Sequence, residues 1–189
     1  MGILKSLNQA LSLFTTKSEN IKTGTGAAIT HHRLETMEGA FKSIEDYNGN
    51  VLMIVNVASK CGLATQYGQL VTLHDEYKNR NFAVIGLPAN NFLNQEPGSD
   101  EDIRNFCSTK YGVNFEVFSK ISVAEPDQHP LYKTLTSKEE NGELGGPIEW
   151  NFTKFIVDQQ GRVIARINPK IEPDDPGVIE IIENALSKS

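Results

Sequence analysis

Two thiols are the most reactive side chains in this 189-residue chain, Cys61 and Cys107. A thiol attacks an electrophile as its thiolate, and an unperturbed cysteine, with a pKa of about 8.5, is mostly protonated at neutral pH. Cys61 follows an apolar run, Val51 to Val57, and precedes a helical pattern that starts near Gln66. It therefore falls in a strand-to-helix turn, where a helix amino terminus favours negative charge by up to about 1 kcal/mol. Further stabilisation of a thiolate must come from donated hydrogen bonds. Taken alone, Cys61 reads equally as a small buried hydrophobe, the commoner fate of a free cysteine. Cys107 shares a helical face with Ile103 and Phe106, so core packing competes with chemistry there too.

Other chemistries find less support. Two cysteines are too few for a disulfide scaffold and suit a reducing compartment. Disulfide-reductase chemistry uses Cys-x-x-Cys, and after Cys61-Gly-Leu this chain has Ala64. His31-His32 lacks companion ligands at metal-binding spacing, so neither a metal nor a cofactor is expected. Gly24-Thr-Gly26 has no preceding strand and no third glycine, which argues against a nucleotide loop. With 18 Lys plus Arg against 24 Asp plus Glu, the formal charge of -6 opposes binding to nucleic acid or anionic lipid. No stretch approaches the roughly 20 apolar residues of a membrane span. Met1 to Ser6 fits the loose pattern for myristoylation of Gly2, which leaves lipidation or organelle targeting open, and Leu7 to Phe14 is a poor secretory signal. The cytoplasm is the expected compartment.

The elements that must position Cys61 follow from periodicity. Val51 to Val57 has the length and composition of a strand buried on both faces. Tyr67, Leu70, Leu73, His74 and Tyr77 recur at helical spacing over about 66–79, and Phe82 to Leu87 is a second buried strand. A helix between two buried strands predicts a parallel, right-handed βαβ unit. Ser99 to Asp102 has capping-box spacing for a helix that Gly112 ends. Pro130 and Pro176 occupy the tolerated first position of two further helices. Phe152 to Asp158 and Arg162 to Ile167 flank Gly161 and should pair antiparallel. Residues 1–29, polar and glycine-rich from Thr15 onward, read as an extension or linker, and 30–189 as one domain. The fold class expected is α/β, a thioredoxin-like arrangement with a central mixed β-sheet flanked by helices.

Asn56-Val-Ala-Ser-Lys-Cys-Gly-Leu63 closely resembles the active-site signature of the glutathione peroxidases. The resemblance continues in register through Asn91-Phe92, Asn94-Gln-Glu-Pro-Gly98, Tyr111-Gly-Val113 and Trp150-Asn-Phe-Thr-Lys-Phe155, and covers roughly residues 30 to 186. It implies a thiol peroxidase that reduces hydrogen peroxide and organic or lipid hydroperoxides, with Cys61 in a catalytic tetrad completed by Gln95, Trp150 and Asn151. Those three side chains offer amide and indole N–H groups that can donate to sulfur or to a departing oxygen. Judged singly, each also reads as ordinary core or loop bonding.

By the same resemblance, Cys107 matches the resolving cysteine of thioredoxin-dependent members, which implies an internal disulfide recycled by thioredoxin, with glutathione as the second choice. Attack by Cys107 on a Cys61 sulfenic acid is expected to need local unfolding of its helix, because cysteines bridge only at close Cα spacing. A peroxide sensor or redox relay to a client protein would use the same two cysteines. The short Ser137 to Ile148 stretch lacks the insertion of tetrameric members, so a monomer or weak dimer is expected. Five positions depart from the usual pattern: Ala64 and Glu116, which are expected to tune the pocket, Ala89, and Leu93-Asn94 where relatives often carry two glycines. The last bears on the placement of Gln95, since glycine alone visits positive φ freely. Asn151-Phe-Thr153 is a glycosylation sequon inside the expected site.

Overall fold

A computed structural model describes residues 20–188 of the chain. The lipidation pattern at Met1 to Ser6 and the Leu7 to Phe14 segment lie outside the described residues. In chain order the elements are β1 (Ile21–Thr23), β2 (Arg33–Glu35), β3 (Phe41–Ser43), β4 (Val51–Val57), α1 (Gln66–Tyr77), β5 (Phe82–Pro88), α2 (Asp100–Phe106), β6 (Glu116–Val117), α3 (Pro130–Thr136), α4 (Lys138–Asn141), β7 (Lys154–Val157), β8 (Val163–Ile167) and α5 (Pro176–Leu186). Six strands form one mixed sheet in the order β1-β8-β7-β4-β5-β6, while β2 and β3 make a separate hairpin. β4 pairs parallel with β5 and antiparallel with β7, so it lies at the centre. The arrangement is the thioredoxin-like α/β sheet anticipated from the sequence.

Alternation along β4 divides the core. Met53, Val55 and Val57 join a cluster with Tyr67, Leu70 and Leu73 of α1 and Val178 and Ile182 of α5. Leu52 and Ile54 face the other layer, with Leu131 and Leu135 of α3. Each such aliphatic side chain, fully buried, contributes about 1.5–3 kcal/mol before entropy is counted. Because both faces are covered, β4 cannot slip register without moving every apolar residue to the wrong layer. Its carboxyl end, and the turn that carries Cys61, are therefore fixed.

Four local differences from the sequence reading have physical causes. Ile21–Thr23, within the stretch read as a linker, pairs antiparallel with β8, and Ile29 is fully buried. A three-residue edge strand is too short to show a period. β7 starts at Lys154, not Phe152, because Phe152 takes a left-handed backbone (φ 68°). α2 does not run on as α-helix to Gly112: it passes at Cys107 into a π-helical turn, Cys107–Tyr111, which Gly112 closes at φ 61°. Glu116 accepts from Lys42 Nζ at 2.7 Å and from the Tyr47 hydroxyl, so its carboxylate is engaged at the β6 edge and not in the expected pocket. The Ser99–Asp102 capping box, the prolines that open α3 and α5, and Gly161 at φ 77° in the β7–β8 turn stand as expected.

Candidate active site

Cys61 sits in the turn after β4, 7% exposed, with a free thiol. Its sulfur accepts the backbone N–H of Leu63 at 3.4 Å, and its carbonyl accepts that of Ala64 at 3.0 Å. The helix amino terminus expected to favour the thiolate is less direct than the sequence suggests. α1 begins only at Gln66, and its cap residue Thr65 makes no side-chain bond. Since the influence of a helix end falls off within one turn, the donor at sulfur is a turn amide and not the helix itself.

The Gln95 loop is stapled to this turn. Lys60 donates its backbone N–H to the Gln95 carbonyl at 2.9 Å. Ser59 donates its N–H to one oxygen of Glu96 at 2.8 Å and its hydroxyl to the other. Glu96 is fully buried, takes the Asn90 side-chain oxygen on its own N–H at 2.8 Å, and gives its carbonyl to Lys120 at 3.2 Å. Burial raises its carboxyl pKa, and the Ser59 bonds oppose the rise. Neither Ser59 nor Glu96 was singled out by sequence reasoning as a site residue. Both stand inside the quoted motifs, but nothing local reveals that a carboxylate 37 positions away is the partner of Ser59.

Leu93 and Asn94, where relatives often carry glycines, both adopt the left-handed conformation, at φ 49° and 51°. Both thus hold the positive φ that glycine visits freely. Asn tolerates that region, whereas leucine there is strained by roughly 1–2 kcal/mol. Leu93 is also 77% exposed, so its side chain recovers little by burial.

Trp150 and Asn151 arrive on the turn before β7. Asn151 is fully buried and donates its Nδ2 to Gln95 Oε1 at 3.0 Å. The sequon is thus closed to a glycan, because its acceptor nitrogen is buried and engaged. The Trp150 carbonyl accepts from Asn56 Nδ2 at 3.2 Å and Thr153 Oγ1 at 2.9 Å, and the indole packs on Phe92 at 5.3 Å between centroids. Among the described residues the indole N–H has no acceptor, so it is available to a ligand. Two buried cations tie down the backbone on either side of this turn in the sequence. Lys154 Nζ donates to the carbonyls of Phe152 at 2.8 Å and Ile171 at 2.7 Å, and Arg166 donates to those of Gly145 at 3.0 Å and Gly146 at 2.8 Å. Burial pulls the Lys154 pKa down to about 7, against the pull of Glu172.

Cys107, also free and buried, opens the π-helical turn and borders a surface cavity of about 190 Å³ lined by Met37, Glu38, Arg104 and Val117. Burial pushes its thiol up to about 11, with Tyr67 pulling it back and Glu96 adding to the rise. It shares one apolar cluster with Cys61, Tyr67 and Phe152. Among the described residues no hydrogen bond joins the Cys61 sulfur to Gln95, Trp150, Asn151 or Cys107. The three loops that carry Cys61, Gln95 and Trp150-Asn151 are stapled to one another, and one core cluster holds both cysteines. His32 is instead structural: it is buried against Thr134 Oγ1 at 3.0 Å, and burial drops its pKa to about 4. No group of three potential metal ligands occurs among the described residues.

Comparison with known proteins gives a consistent result. The profile of the family described as glutathione peroxidase matches residues 29–136. The thioredoxin/glutathione peroxidase BtuE of Escherichia coli (strain K12) is 42% identical over 174 residues, which span 82% of this chain and 95% of that protein. The hydroperoxy fatty acid reductase gpx1 of Synechocystis is 44% identical over 144 residues, 74% of this chain and 85% of that protein. Among solved structures, Trgpx in its apo form superposes with a TM-score of 0.67 at 31% identity, over 86% of this chain and 97% of that one.

Proposed function

The chain belongs to the glutathione peroxidase family, and on that premise we propose that it reduces hydroperoxides through Cys61, with Gln95, Trp150 and Asn151 as donors and Cys107 as the resolving thiol. It is a peroxidase enzyme, with hydroperoxides as substrates and a thiol as reductant. The Cys61 thiolate attacks the nearer peroxide oxygen, so that an S–O bond forms, the O–O bond breaks, and the departing alkoxide or hydroxide takes a proton to leave as alcohol or water. Cys61 is then a sulfenic acid, and charge develops on the leaving oxygen, where preorganised N–H donors act.

The observation that carries this reading is the Asn151–Gln95 bond. Gln95 uses its amide oxygen to accept from Asn151 at 3.0 Å, which leaves its NH₂ group pointing elsewhere with two donors to give. Its carbonyl is meanwhile tied to the Cys61 turn through Lys60. Together with the unpartnered indole of Trp150, the site offers donors and few acceptors, as a developing anion requires.

Cys107 supports an internal disulfide and thioredoxin as the reductant, and its cavity supports access for a partner thiol. The name of the Escherichia coli relative covers both thioredoxin and glutathione, and that of the Synechocystis relative is consistent with fatty-acid hydroperoxides among the substrates. No helix among the described residues is long and apolar enough to cross a membrane. The reading is completed by a cytoplasmic monomer or weak dimer. The test is steady-state peroxide consumption coupled to thioredoxin or to glutathione, with wild type and Cys61→Ser. Turnover with thioredoxin that Cys61→Ser abolishes supports the reading, and turnover that survives the substitution refutes it.

A further inference from the structure

The Tyr67 hydroxyl is fully buried and has no hydrogen-bond partner, a condition that costs roughly 1–3 kcal/mol and that a native structure does not carry without a reason. Its ring cannot turn away to find one. It stacks on Tyr111 at 5.5 Å and meets the edges of Phe106 at 6.1 Å and Phe152 at 5.5 Å. Phe106 and Tyr111 bracket Cys107 in the chain, and Phe152 follows Asn151. Tyr67 thus stands in the cluster that holds both cysteines, as the second residue of α1.

After burial itself, the group that acts most on the Tyr67 hydroxyl is the Cys107 thiol, and Tyr67 in turn draws the Cys107 pKa down. In the reduced protein the approach falls short of a complete hydrogen bond. A neutral thiol is a weak acceptor, whereas a thiolate is a strong one. We infer that Tyr67 is a donor held in reserve for the Cys107 thiolate, and that it speeds the resolving step by stabilising the sulfur anion at the moment it attacks Cys61.

The inference rests on the resolving role of Cys107, and on the Tyr67 hydroxyl staying with the sulfur as the helix that carries Cys107 opens for that step. In that step the Cys107 thiolate attacks the sulfur of the Cys61 sulfenic acid, an S–S bond forms, the S–O bond breaks, and hydroxide leaves and takes up the proton that Cys107 released. The Cys61 sulfur is reduced and the Cys107 sulfur is oxidised, so that water is the only other product. The step needs help because, even with the pull of Tyr67, a thiol near pKa 11 is ionised to only about one part in ten thousand at pH 7, and without that pull the thiolate is scarcer still. Other groups around Cys107 do not supply it. Glu96 opposes the anion. Glu38 and Arg104, on the cavity wall, are paired with each other at 2.7 Å, and Lys110 stands over the Phe106 and Tyr111 rings. His74, farther along α1, faces Phe115.

Tyr67→Phe keeps the ring and its stacking and removes only the hydroxyl. Reduced wild type, Tyr67→Phe, Tyr111→Phe and Cys107→Ser are mixed with one equivalent of hydrogen peroxide, quenched with acid over time, and resolved by mass into sulfenic acid and Cys61–Cys107 disulfide. The expected result is an unchanged first step, and disulfide formation slowed about 10- to 100-fold in Tyr67→Phe alone, as for loss of a hydrogen bond to a charged group. The pH at which the step reaches half its maximal rate moves upward in the same variant. Alkylation of Cys107 in the reduced protein, which needs no turnover, shows the same upward move. Equal rates and pH profiles overturn the inference, and faster disulfide formation overturns it by making Tyr67 a latch. If wild type forms no Cys61–Cys107 disulfide, the resolving role falls first and the inference with it. A wild-type disulfide with an unaffected variant removes the inference alone.

Discussion

Asn151 Nδ2 lies 3.0 Å from Gln95 Oε1, a hydrogen bond between residues 56 positions apart that joins the loop after β5 to the turn before β7. It fixes the Gln95 amide with its NH₂ end free, the end that the proposed function turns toward the peroxide. Asn151→Ala frees the Gln95 amide to rotate, and Gln95→Ala removes its donors. Either should lower kcat/KM for hydrogen peroxide by about 10²–10³, the range for loss of one preorganised donor. The circular dichroism spectrum should stay unchanged. A loss below threefold for both would remove them from the mechanism.

Glu96 is the acceptor that holds Ser59, and through it the Cys61 turn. Glu96→Ala leaves the Ser59 N–H without its acceptor, and a loss of about 1–3 kcal/mol is expected in urea melts. The pH dependence has a definite sign. Burial raises the folded-state pKa above the ordinary 4.5, so just above that pH the folded chain binds more protons than the unfolded one. Stability then falls as pH rises through the window. Glu96→Gln lacks that component, and its melting temperature should decline less than wild type as pH rises above 4.5.

Lys154 behaves in the opposite sense. Its folded pKa of about 7 lies below the ordinary 10.5, so between these values the unfolded chain binds the extra proton and stability rises with pH. In Lys154→Met the Phe152 and Ile171 carbonyls lose their donor. The variant should be less stable by roughly 1–3 kcal/mol, and its deficit should widen from pH 7 toward pH 10. Thermal melts across that range give the answer.

Leu93 occupies a left-handed backbone with its side chain in solvent. Leu93→Gly, a substitution that normally destabilises, should here stabilise by about 1 kcal/mol, because the strain relieved exceeds the added entropy of the unfolded chain. Peroxidase activity should be retained. A drop in melting temperature would show that the Leu93 side chain makes a contribution that its exposure hides.

The long, strongly patterned elements were legible in the sequence. β4 runs over Val51–Val57 as anticipated, since a run of seven residues, apolar but for Asn56 and buried on both faces, admits few other conformations. The prolines and the Ser99 capping box located helix starts because each acts within one turn of itself. What escaped was either too short or too distant. β1 and the β2–β3 hairpin have three-residue strands without a period, and their pairing depends on partners far along the chain. The burial of Glu96 and the orphan hydroxyl of Tyr67 are tertiary facts with no local signature. The π-helical turn at Cys107 interrupts a helix whose apolar spacing gives no warning of it. The motif resemblance supplied Gln95, Trp150, Asn151 and Cys107, which periodicity alone would have assigned to loops and core. It could not say that Leu93-Asn94 takes the positive φ that glycine visits freely.

The central claim is that Cys61 attacks peroxide and Cys107 resolves it. Reduced protein given one equivalent of hydrogen peroxide, digested and read by peptide mass spectrometry beside Cys107→Ser, tests both halves at once. The account predicts a Cys61–Cys107 disulfide in wild type, which thioredoxin reduces, and a trapped or over-oxidised Cys61 in Cys107→Ser. An unbridged Cys61 sulfenate in wild type would contradict the role given to Cys107, and oxidation that spares Cys61 altogether would contradict the site itself.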